Sequence, residues 1–238
     1  MALHLGILQT DHVRAEFQAE HGDYTDMFHR LFSAVDAEVT FTDYDVQRAL
    51  PQSIDCDAYV ITGSKDSVYE DLPWLPGLVK FLEQVLSEGK KIIGVCFGHQ
   101  LVAHYFGGRV AAAEQGWGVG VHTARVLQSY DWMQPAGEAV SLLCSHKDQV
   151  MALPEGAQLY LSSEFCPLAG FTIGDQVITV QGHPEFEKPY SSALMDMRQD
   201  LLGEAVYQQG KRSLTQPTDE QNFARWLLSF VKDRPSAE

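Results

Sequence analysis

The sequence predicts an α/β fold built on a mostly parallel central sheet. Short apolar runs typical of buried strands alternate with segments of helical spacing through the first half of the chain. Parallel strands are joined by crossover helices, so this alternation places helices on both faces of the sheet. The second half contains short strand-like runs separated by turns, which we expect to add antiparallel strands. We therefore predict one domain over residues 1–238.

The first half of the chain supplies four strands and three helices. The strands are predicted at residues 3–8, 38–41, 57–61 and 92–95. The helices are predicted at residues 23–35, 74–88 and 98–106. In the first helix, Met27, Phe28 and Leu31 recur at the spacing of one helical face. Gly107 and Gly108 end the third helix, because glycine commonly terminates helices.

The second half of the chain begins with strand-like runs and closes with two helices. The runs lie at residues 121–127, 140–143, 158–162, 168–173 and 176–180. The closing helices are predicted at residues 190–209 and 219–232. Ligands of open α/β sheets bind beyond the carboxyl ends of the strands. Functional residues are therefore expected in the loops that follow strands.

Charge and hydropathy exclude several classes of partner. The 238 residues carry a net charge of −15, from 17 basic and 32 acidic residues. This balance argues against nucleic-acid and anionic-membrane partners, because both require a basic surface. No apolar stretch has the length of a membrane span, and the first residues lack the pattern of a secretory signal. We expect a cytoplasmic protein.

The cysteine pattern agrees with that compartment. The four cysteines are scattered and none forms a Cys-x-x-Cys pair, so neither a disulfide scaffold nor a zinc site is expected. They are Cys56, Cys96, Cys144 and Cys166. No other metal-ligand spacing stands out, and no metal is predicted.

Cys96 lies at a sharp turn between a predicted strand and a predicted helix. Gly94 and Gly98 flank it, which gives the Gly-x-nucleophile-x-Gly pattern of a nucleophile elbow with cysteine as the nucleophile. The turn needs small neighbours because the nucleophile adopts a sparsely populated backbone conformation. The following helix N-terminus favours a thiolate. A small apolar cysteine buried at the end of a core strand would give the same local pattern.

His183 and Glu185 are candidates for the base and for the group that orients it. They follow the strand at residues 176–180, separated by Pro184, which restricts the backbone between them. A carboxylate that accepts from one imidazole nitrogen leaves the other nitrogen free to face a nucleophile. An ordinary solvated loop containing a histidine and a glutamate is the alternative.

The loop after the third strand is a candidate oxyanion hole. Acyl transfer to cysteine creates an oxyanion that needs backbone N–H donors. Phe97, directly after the nucleophile, is placed to supply one donor, and Gly63-Ser64 the other. An ordinary turn at the end of a strand is the alternative.

Four motifs together resemble class I, triad-type glutamine amidotransferases, and most of all the amidotransferase domain of GMP synthase and its free-standing relatives. They are the segments at residues 62–69, 94–100, 145–148 and 181–185. The resemblance covers roughly residues 58–186, with the motifs in family order. It implies a flavodoxin-like three-layer α/β/α fold.

The resemblance also implies the chemistry. Cys96 would attack the side-chain amide of L-glutamine, His183 would act as general acid and base, and Glu185 would orient His183. Ammonia would leave, and water would hydrolyse the γ-glutamyl thioester without a cofactor. Gln100 and the backbone of Ser145 and His146 would bind substrate. Gly63, Ser64 and Phe97 match the oxyanion positions.

The chain departs from the family pattern at four places. Ser64 replaces a glycine and Lys65 a proline in the oxyanion loop, so presentation of the backbone donor is expected to be inducible by a docked partner. Lys147 replaces a glycine, and Gly182 an aromatic residue.

Two activities remain open on these grounds. The chain lacks a P-loop motif and the pyrophosphatase signature of the second GMP synthase domain, so an ammonia-accepting synthase would have to be a separate chain. The alternative is a γ-glutamyl peptidase or hydrolase that cuts γ-glutamyl amides such as glutathione conjugates. A binding protein with a vestigial site is a third hypothesis, disfavoured because no member of the Cys-His-Glu set is missing.

Overall fold

The computed structural model describes residues 2–233, in which nine strands form one sheet. The sheet order is β2-β1-β3-β4-β11-β10-β9-β6-β7. These strands are β1 (His4–Gln9), β2 (Thr40–Asp45), β3 (Ala58–Ile61), β4 (Lys91–Val95), β6 (Gly118–Val126), β7 (Ala139–His146), β9 (Ala157–Ser162), β10 (Gly170–Ile173) and β11 (Val177–Val180). A second sheet pairs β5 (Arg109–Ala112) with β8 (Asp148–Ala152).

The sheet has a parallel part and an antiparallel part. The five strands from β2 to β11 in the sheet order pair in parallel. Strands β10, β9, β6 and β7 then continue the sheet with antiparallel pairing. The prediction of a parallel sheet with added antiparallel strands is confirmed.

Helices cover both faces of the sheet. They are α1 (Ala15–His21), α2 (Tyr24–Ser33), α3 (Leu75–Ser87), α4 (Phe97–Tyr105), α5 (Lys188–Met197), α6 (Gln199–Leu202), α7 (Glu204–Ser213) and α8 (Glu220–Lys232). Val60 and Ile93 pack with α2 and α8 on one face, whereas their neighbours Ile61 and Ile92 pack with α3 and α4 on the other. Successive residues of a strand point to opposite faces, so both faces of the central strands are apolar. The flavodoxin-like three-layer α/β/α fold is confirmed.

Beyond differences in the bounds of strands, the sequence prediction merges or misses elements in three places. The helix predicted at residues 190–209 is three helices, since Arg198 separates α5 from α6 and Gly203, at φ 73°, ends α6. Helix α1 was not predicted, because His21 is its one buried residue and it carries no apolar stripe. The β5–β8 pair was also not predicted, since two short strands distant in the chain leave no local signal.

The fold gathers four loops at one edge of the sheet. Because β1, β3, β4 and β11 run in parallel, their carboxyl ends lie side by side. The chain after these ends carries Thr10, Gly63, Cys96 and His183, respectively. Within residues 2–233, no helix is long and apolar enough to cross a bilayer.

Candidate active site

Cys96 adopts a strained backbone conformation at the junction of β4 and α4. Its φ of 50° is the one positive value at a non-glycine position among the described residues, with ψ at −97°. The strain is held by flanking hydrogen bonds, since the Cys96 N–H donates to the Val180 carbonyl at 2.9 Å and the Gln100 N–H donates to the Cys96 carbonyl at 3.0 Å. Such strain is typical of functional sites.

The flanking glycines are required by close backbone contacts. A Cβ at Gly94 would lie 2.7 Å from the Gly98 carbonyl oxygen, and a Cβ at Gly98 would lie 2.6 Å from the Ile61 carbonyl oxygen. Both distances are shorter than any van der Waals contact. The Gly-x-Cys-x-Gly spacing therefore has the steric cause expected from the sequence.

His183 and Glu185 form a buried pair beside Cys96. His183 Nδ1 lies 2.7 Å from Glu185 Oε1, and the two residues are each 3% exposed. The His183 N–H donates to the Leu143 carbonyl at 2.8 Å, and the ring stacks on Phe186 at a centroid distance of 3.8 Å. The position of the imidazole is therefore fixed by three contacts: the backbone hydrogen bond to Leu143, the contact of Nδ1 with Glu185 and the stacking on Phe186.

The protonation of His183 is set by its neighbours. Burial by itself would lower the pKa of His183, but the charges of Glu185 and Cys96, together with the hydrogen bond to Glu185, raise it to about 10. The imidazolium form of His183 is therefore favoured beside Cys96. The arrangement can hold a nucleophile and an acid ready at the same time.

The peptide between Gly63 and Ser64 is oriented by a hydrogen bond to its carbonyl. The Gly63 carbonyl accepts from the Thr10 hydroxyl at 3.0 Å, on the β1 side of β3. In a planar trans peptide the C=O and N–H point in opposite directions, so the Ser64 N–H faces the β4 side. A Cβ at Gly63 would lie 2.8 Å from His183 Cε1 and 3.8 Å from Cys96 Cβ, which places this peptide against both side chains.

A second candidate backbone donor lies next to Cys96. Phe97 is the first residue of α4, where N–H groups have no intrahelical acceptor. Phe97 directly follows Cys96, and Ser64 lines the same cavity as Cys96. This geometry suits a pair of oxyanion donors.

Gln181 is a neighbour of Cys96 that sequence reasoning missed. Its Nε2 lies 3.5 Å from Cys96 Sγ, and its Oε1 accepts from Gln100 Nε2 at 3.1 Å. Gln100 Nε2 also donates to the Asp148 carbonyl at 2.8 Å. This chain of donors orients the Gln181 amide so that its NH₂ faces the sulfur. Gln181 lies directly after β11, as the functional residues of such sheets do, and that position was the available signal.

Cys96 opens into a cavity of about 330 Å³. Four candidate residues line it with the sulfur: Ser64, Gln100, Ser145 and His146. Burial and the neighbouring histidines lower the pKa of His146 to about 3, so its ring is neutral at physiological pH. The cavity wall also carries the cations of Lys65, Lys147 and Arg198, alongside acidic residues.

Arg198 is the second residue that sequence reasoning missed. Its Nη1 donates to Ser145 Oγ at 2.9 Å, and its guanidinium lies 5.4 Å from the centroid of the Trp117 ring. It stands at the break between α5 and α6, which the sequence predicted as the interior of one helix. No local pattern distinguished it from a solvent-exposed arginine.

The described residues hold no group of three or more His, Cys, Asp or Glu side chains arranged to bind a metal ion. The four cysteines are buried and unpaired, and Cys96 is 4% exposed. Burial raises the pKa of Cys144 and Cys166, which leaves both as neutral thiols.

Comparison with known families adds an independent finding. The sequence model of the glutamine amidotransferase class-I family matches residues 20–195. The matched segment contains Cys96 and the loops after β3 and β11. Asp11 and Arg198 lie outside it.

Relatives of this chain carry more than one name. A Schizosaccharomyces pombe protein named as glutamine amidotransferase-like is 29% identical over 250 residues, covering 97% of this chain and 99% of its own. Gamma-glutamyl peptidase 2 of Arabidopsis thaliana is 27% identical over 212 residues, covering 86% and 82%, respectively. One subunit of the glutamine-hydrolysing GMP synthase of Halobacterium salinarum is 30% identical over 168 residues, covering 69% and 85%.

A solved structure shares the fold. A glutamine amidotransferase from Methylobacillus flagellatus superposes with a TM-score of 0.73 at 19% identity, covering 100% of this chain and 98% of that chain. Since the likeness extends over the whole chain, the antiparallel strands belong to the shared architecture.

Proposed function

The chain belongs to the class-I glutamine amidotransferase family, and we propose that it hydrolyses the side-chain amide of L-glutamine through a γ-glutamyl thioester on Cys96. Membership confirms the resemblance identified from the four sequence motifs. The observation that carries the proposal is the buried His183–Glu185 pair beside Cys96, a cysteine that lines an open cavity.

The first half-reaction uses the ion pair. The Cys96 thiolate attacks the amide carbon, and the oxyanion receives hydrogen bonds from the N–H groups of Ser64 and Phe97. The C–N bond then breaks while the His183 imidazolium gives its proton to the departing nitrogen. Ammonia leaves and the γ-glutamyl thioester remains.

The second half-reaction runs the proton transfer in reverse. Neutral His183 takes a proton from water, and the resulting hydroxide attacks the thioester carbon. The C–S bond breaks, glutamate leaves, and the thiolate and imidazolium are restored. Glu185 holds Nδ1 throughout, so Nε2 alone exchanges protons with the reacting atoms.

Substrate positioning is assigned to the cavity wall. Gln100 and the segment of Ser145 and His146 would bind the α-amino and α-carboxylate groups of the γ-glutamyl moiety. The amide itself is chemically ordinary, so specificity depends on these charged groups. If ammonia is passed on, the acceptor would be a synthase on a separate chain, in the proposed cytoplasmic setting.

The cavity favours a second candidate, a γ-glutamyl peptidase. A volume of about 330 Å³ has room for more than free glutamine. Arg198 and Lys147 place positive charge in its wall, where a second carboxylate of a γ-glutamyl peptide such as glutathione would bind. In that reaction the proton from His183 goes to the nitrogen of the γ-glutamyl amide bond, and the rest of the peptide leaves as an amine in place of ammonia. The other steps are unchanged.

The two candidates are separated by product analysis. The purified chain is incubated with glutamine or with glutathione, and glutamate and ammonia are assayed. Glutamate with ammonia from glutamine supports the first candidate, and glutamate from glutathione supports the second. Failure to turn over either substrate, with no labelling of Cys96 by a glutamine-analogue electrophile, would contradict both.

A further inference from the structure

The oxyanion loop, residues 63–67, forms hydrogen bonds with Asp11 on the side of the loop that faces β1. Asp11 is 7% exposed and follows β1, next to the loop after β3. Its Oδ2 accepts from the backbone N–H of Lys65 at 3.0 Å, and its Oδ1 accepts from Lys65 Nζ at 2.8 Å. One carboxylate therefore binds both the backbone and the side chain of the residue after Ser64.

Two successive peptides of this loop are fixed in orientation. Thr10 holds the carbonyl of the Gly63–Ser64 peptide, and Asp11 holds the N–H of the Ser64–Lys65 peptide. Rotation of the first peptide by half a turn would point the Gly63 carbonyl at Cys96 and repel an oxyanion. Such a rotation would break the Thr10 bond and displace the peptide held by Asp11.

The far end of the loop is held from the opposite side. Ser67 donates to the carboxylate of Asp148, which belongs to β8. Inside the loop, the Asp66 N–H donates to Ser64 Oγ at 3.1 Å. Residues 63–67 thus form hydrogen bonds with the segment after β1 on one side and with β8 on the other.

Lys65 makes the Asp11 contact possible. The family loop that this segment resembles has proline here, and proline has no N–H to donate. Burial opposes the charged form of Lys65, but the hydrogen bond to Asp11 and its charge raise the pKa of the ammonium above its usual value. The Lys65 side chain is 64% exposed, so the ion pair itself adds little stability, and its effect is to orient the loop.

We propose that Asp11 and Lys65 form a clamp that holds the oxyanion loop in its competent orientation, so that the isolated chain turns over without a docked partner. This proposal differs from the expectation drawn from the sequence, in which a docked partner induces the orientation of the loop. The clamp rests on the proposed function, because it acts on the oxyanion of that reaction. Asp11 and Lys65 are positioning residues in this role.

The test measures steady-state kinetics of Asp11→Ala and Lys65→Pro. Both variants remove the backbone hydrogen bond, so kcat is expected to fall about 10- to 100-fold with KM within about twofold, since one oxyanion donor typically contributes 10²- to 10³-fold. The rate of Cys96 alkylation by iodoacetamide stays at the wild-type value, because that reaction forms no oxyanion. Asp11→Asn keeps an acceptor for the Lys65 N–H and is expected to recover most of kcat.

Two further variants separate orientation from general destabilisation. Lys65→Ala keeps the backbone N–H and is expected to lose much less activity than Lys65→Pro. Asp36→Ala removes an ion pair with Lys232 of the same 2.8 Å length, remote from the site, and serves as the control for loss of an Asp–Lys pair. If Asp11→Ala fails to fold, the Lys65→Pro and Lys65→Ala pair decides the question.

Each outcome settles the proposal. The proposal would be overturned if Asp11→Ala and Lys65→Pro both kept the wild-type kcat. It would also be overturned if these variants changed only KM or only the rate of Cys96 alkylation. A wild-type chain that is labelled at Cys96 by a glutamine-analogue electrophile but does not turn over would overturn the clamp while supporting the proposed nucleophile. Absence of both labelling and turnover would overturn the proposed function, and the clamp with it.

Discussion

The parallel and antiparallel parts of the sheet contribute different things to the site. The parallel part supplies the groups to which we assign the chemistry, because the oxyanion loop that begins at Gly63, Cys96 and His183 each follow one of its strands. The antiparallel part and the helices beyond it supply cavity wall, including Ser145 and Arg198. Changes in the first part should therefore act on kcat, and changes in the second on KM and on the choice of substrate.

The largest effect on kcat is expected from replacement of Cys96, which follows a strand of the parallel part. Cys96→Ala is expected to lower kcat by at least about 10³-fold, since loss of a nucleophile removes the covalent pathway. Glutamate release under saturating substrate is the measurement. Cys56→Ala, which alters another buried cysteine outside the cavity, is the matched control. Comparable activity in the two variants would show that the thiol at position 96 does not react.

Glu185→Gln is expected to lower kcat by about 10²-fold or more and to move its pH dependence. The pKa of His183 is raised above 6.5 by Glu185, so the imidazolium stabilises the fold below that pH and this contribution fades as pH rises toward about 10. The variant removes one of the two charges that oppose the effect of burial, so the pKa of His183 falls. The alkaline limb of kcat/KM should then shift down by about one pH unit or more.

The control for this variant is a remote carboxylate. Glu16→Gln alters an exposed glutamate of α1 that pairs with Arg14, and its pH profile should match the wild type. If the alkaline limb of the kcat/KM pH profile were the same in Glu185→Gln as in the wild type, Glu185 would not set the protonation of His183.

The two parts also differ in how far the sequence predicts them. Cys96 and its glycines form a local pattern with a steric cause, and His183 and Glu185 are two positions apart, so both were found by reading along the chain. Arg198 meets Ser145, which is 53 positions away, and Asp11 meets Lys65, which is 54 positions away. Such contacts are created by the packing of distant segments and leave no pattern in either one.

The secondary-structure elements that the sequence analysis did not predict have the same cause. Buried strands and amphipathic helices were found because each carries its own periodicity. The β5–β8 pair joins segments far apart in the chain, and Arg198, at the helix break, contacts the distant Ser145. The cavity wall was accordingly harder to predict than Cys96, His183 and Glu185.

Arg198→Met tests the antiparallel side. If Arg198 binds the second carboxylate of a γ-glutamyl peptide, KM for glutathione should rise about 10- to 100-fold, the range expected for a lost charged hydrogen bond. KM for glutamine should change much less, and kcat for both should stay within about threefold. Arg212→Met, an exposed arginine of α7, is the control. Equal losses for the two substrates would assign Arg198 to the shared γ-glutamyl moiety.

Gln181→Met is expected to have the smallest effect and probes the boundary between the two parts. Gln181 follows a parallel strand but reaches Cys96 through an amide that Gln100 orients. An N–H that donates to sulfur stabilises the thiolate more than the thiol, so its removal should slow alkylation of Cys96 by about 3- to 10-fold at neutral pH. The slowing should diminish as pH rises, because the thiolate then forms without assistance. Methionine has a similar volume, which limits the loss of packing. Slowing that is independent of pH would instead indicate altered access to the sulfur, and the Gln181 contact would then be a matter of packing alone.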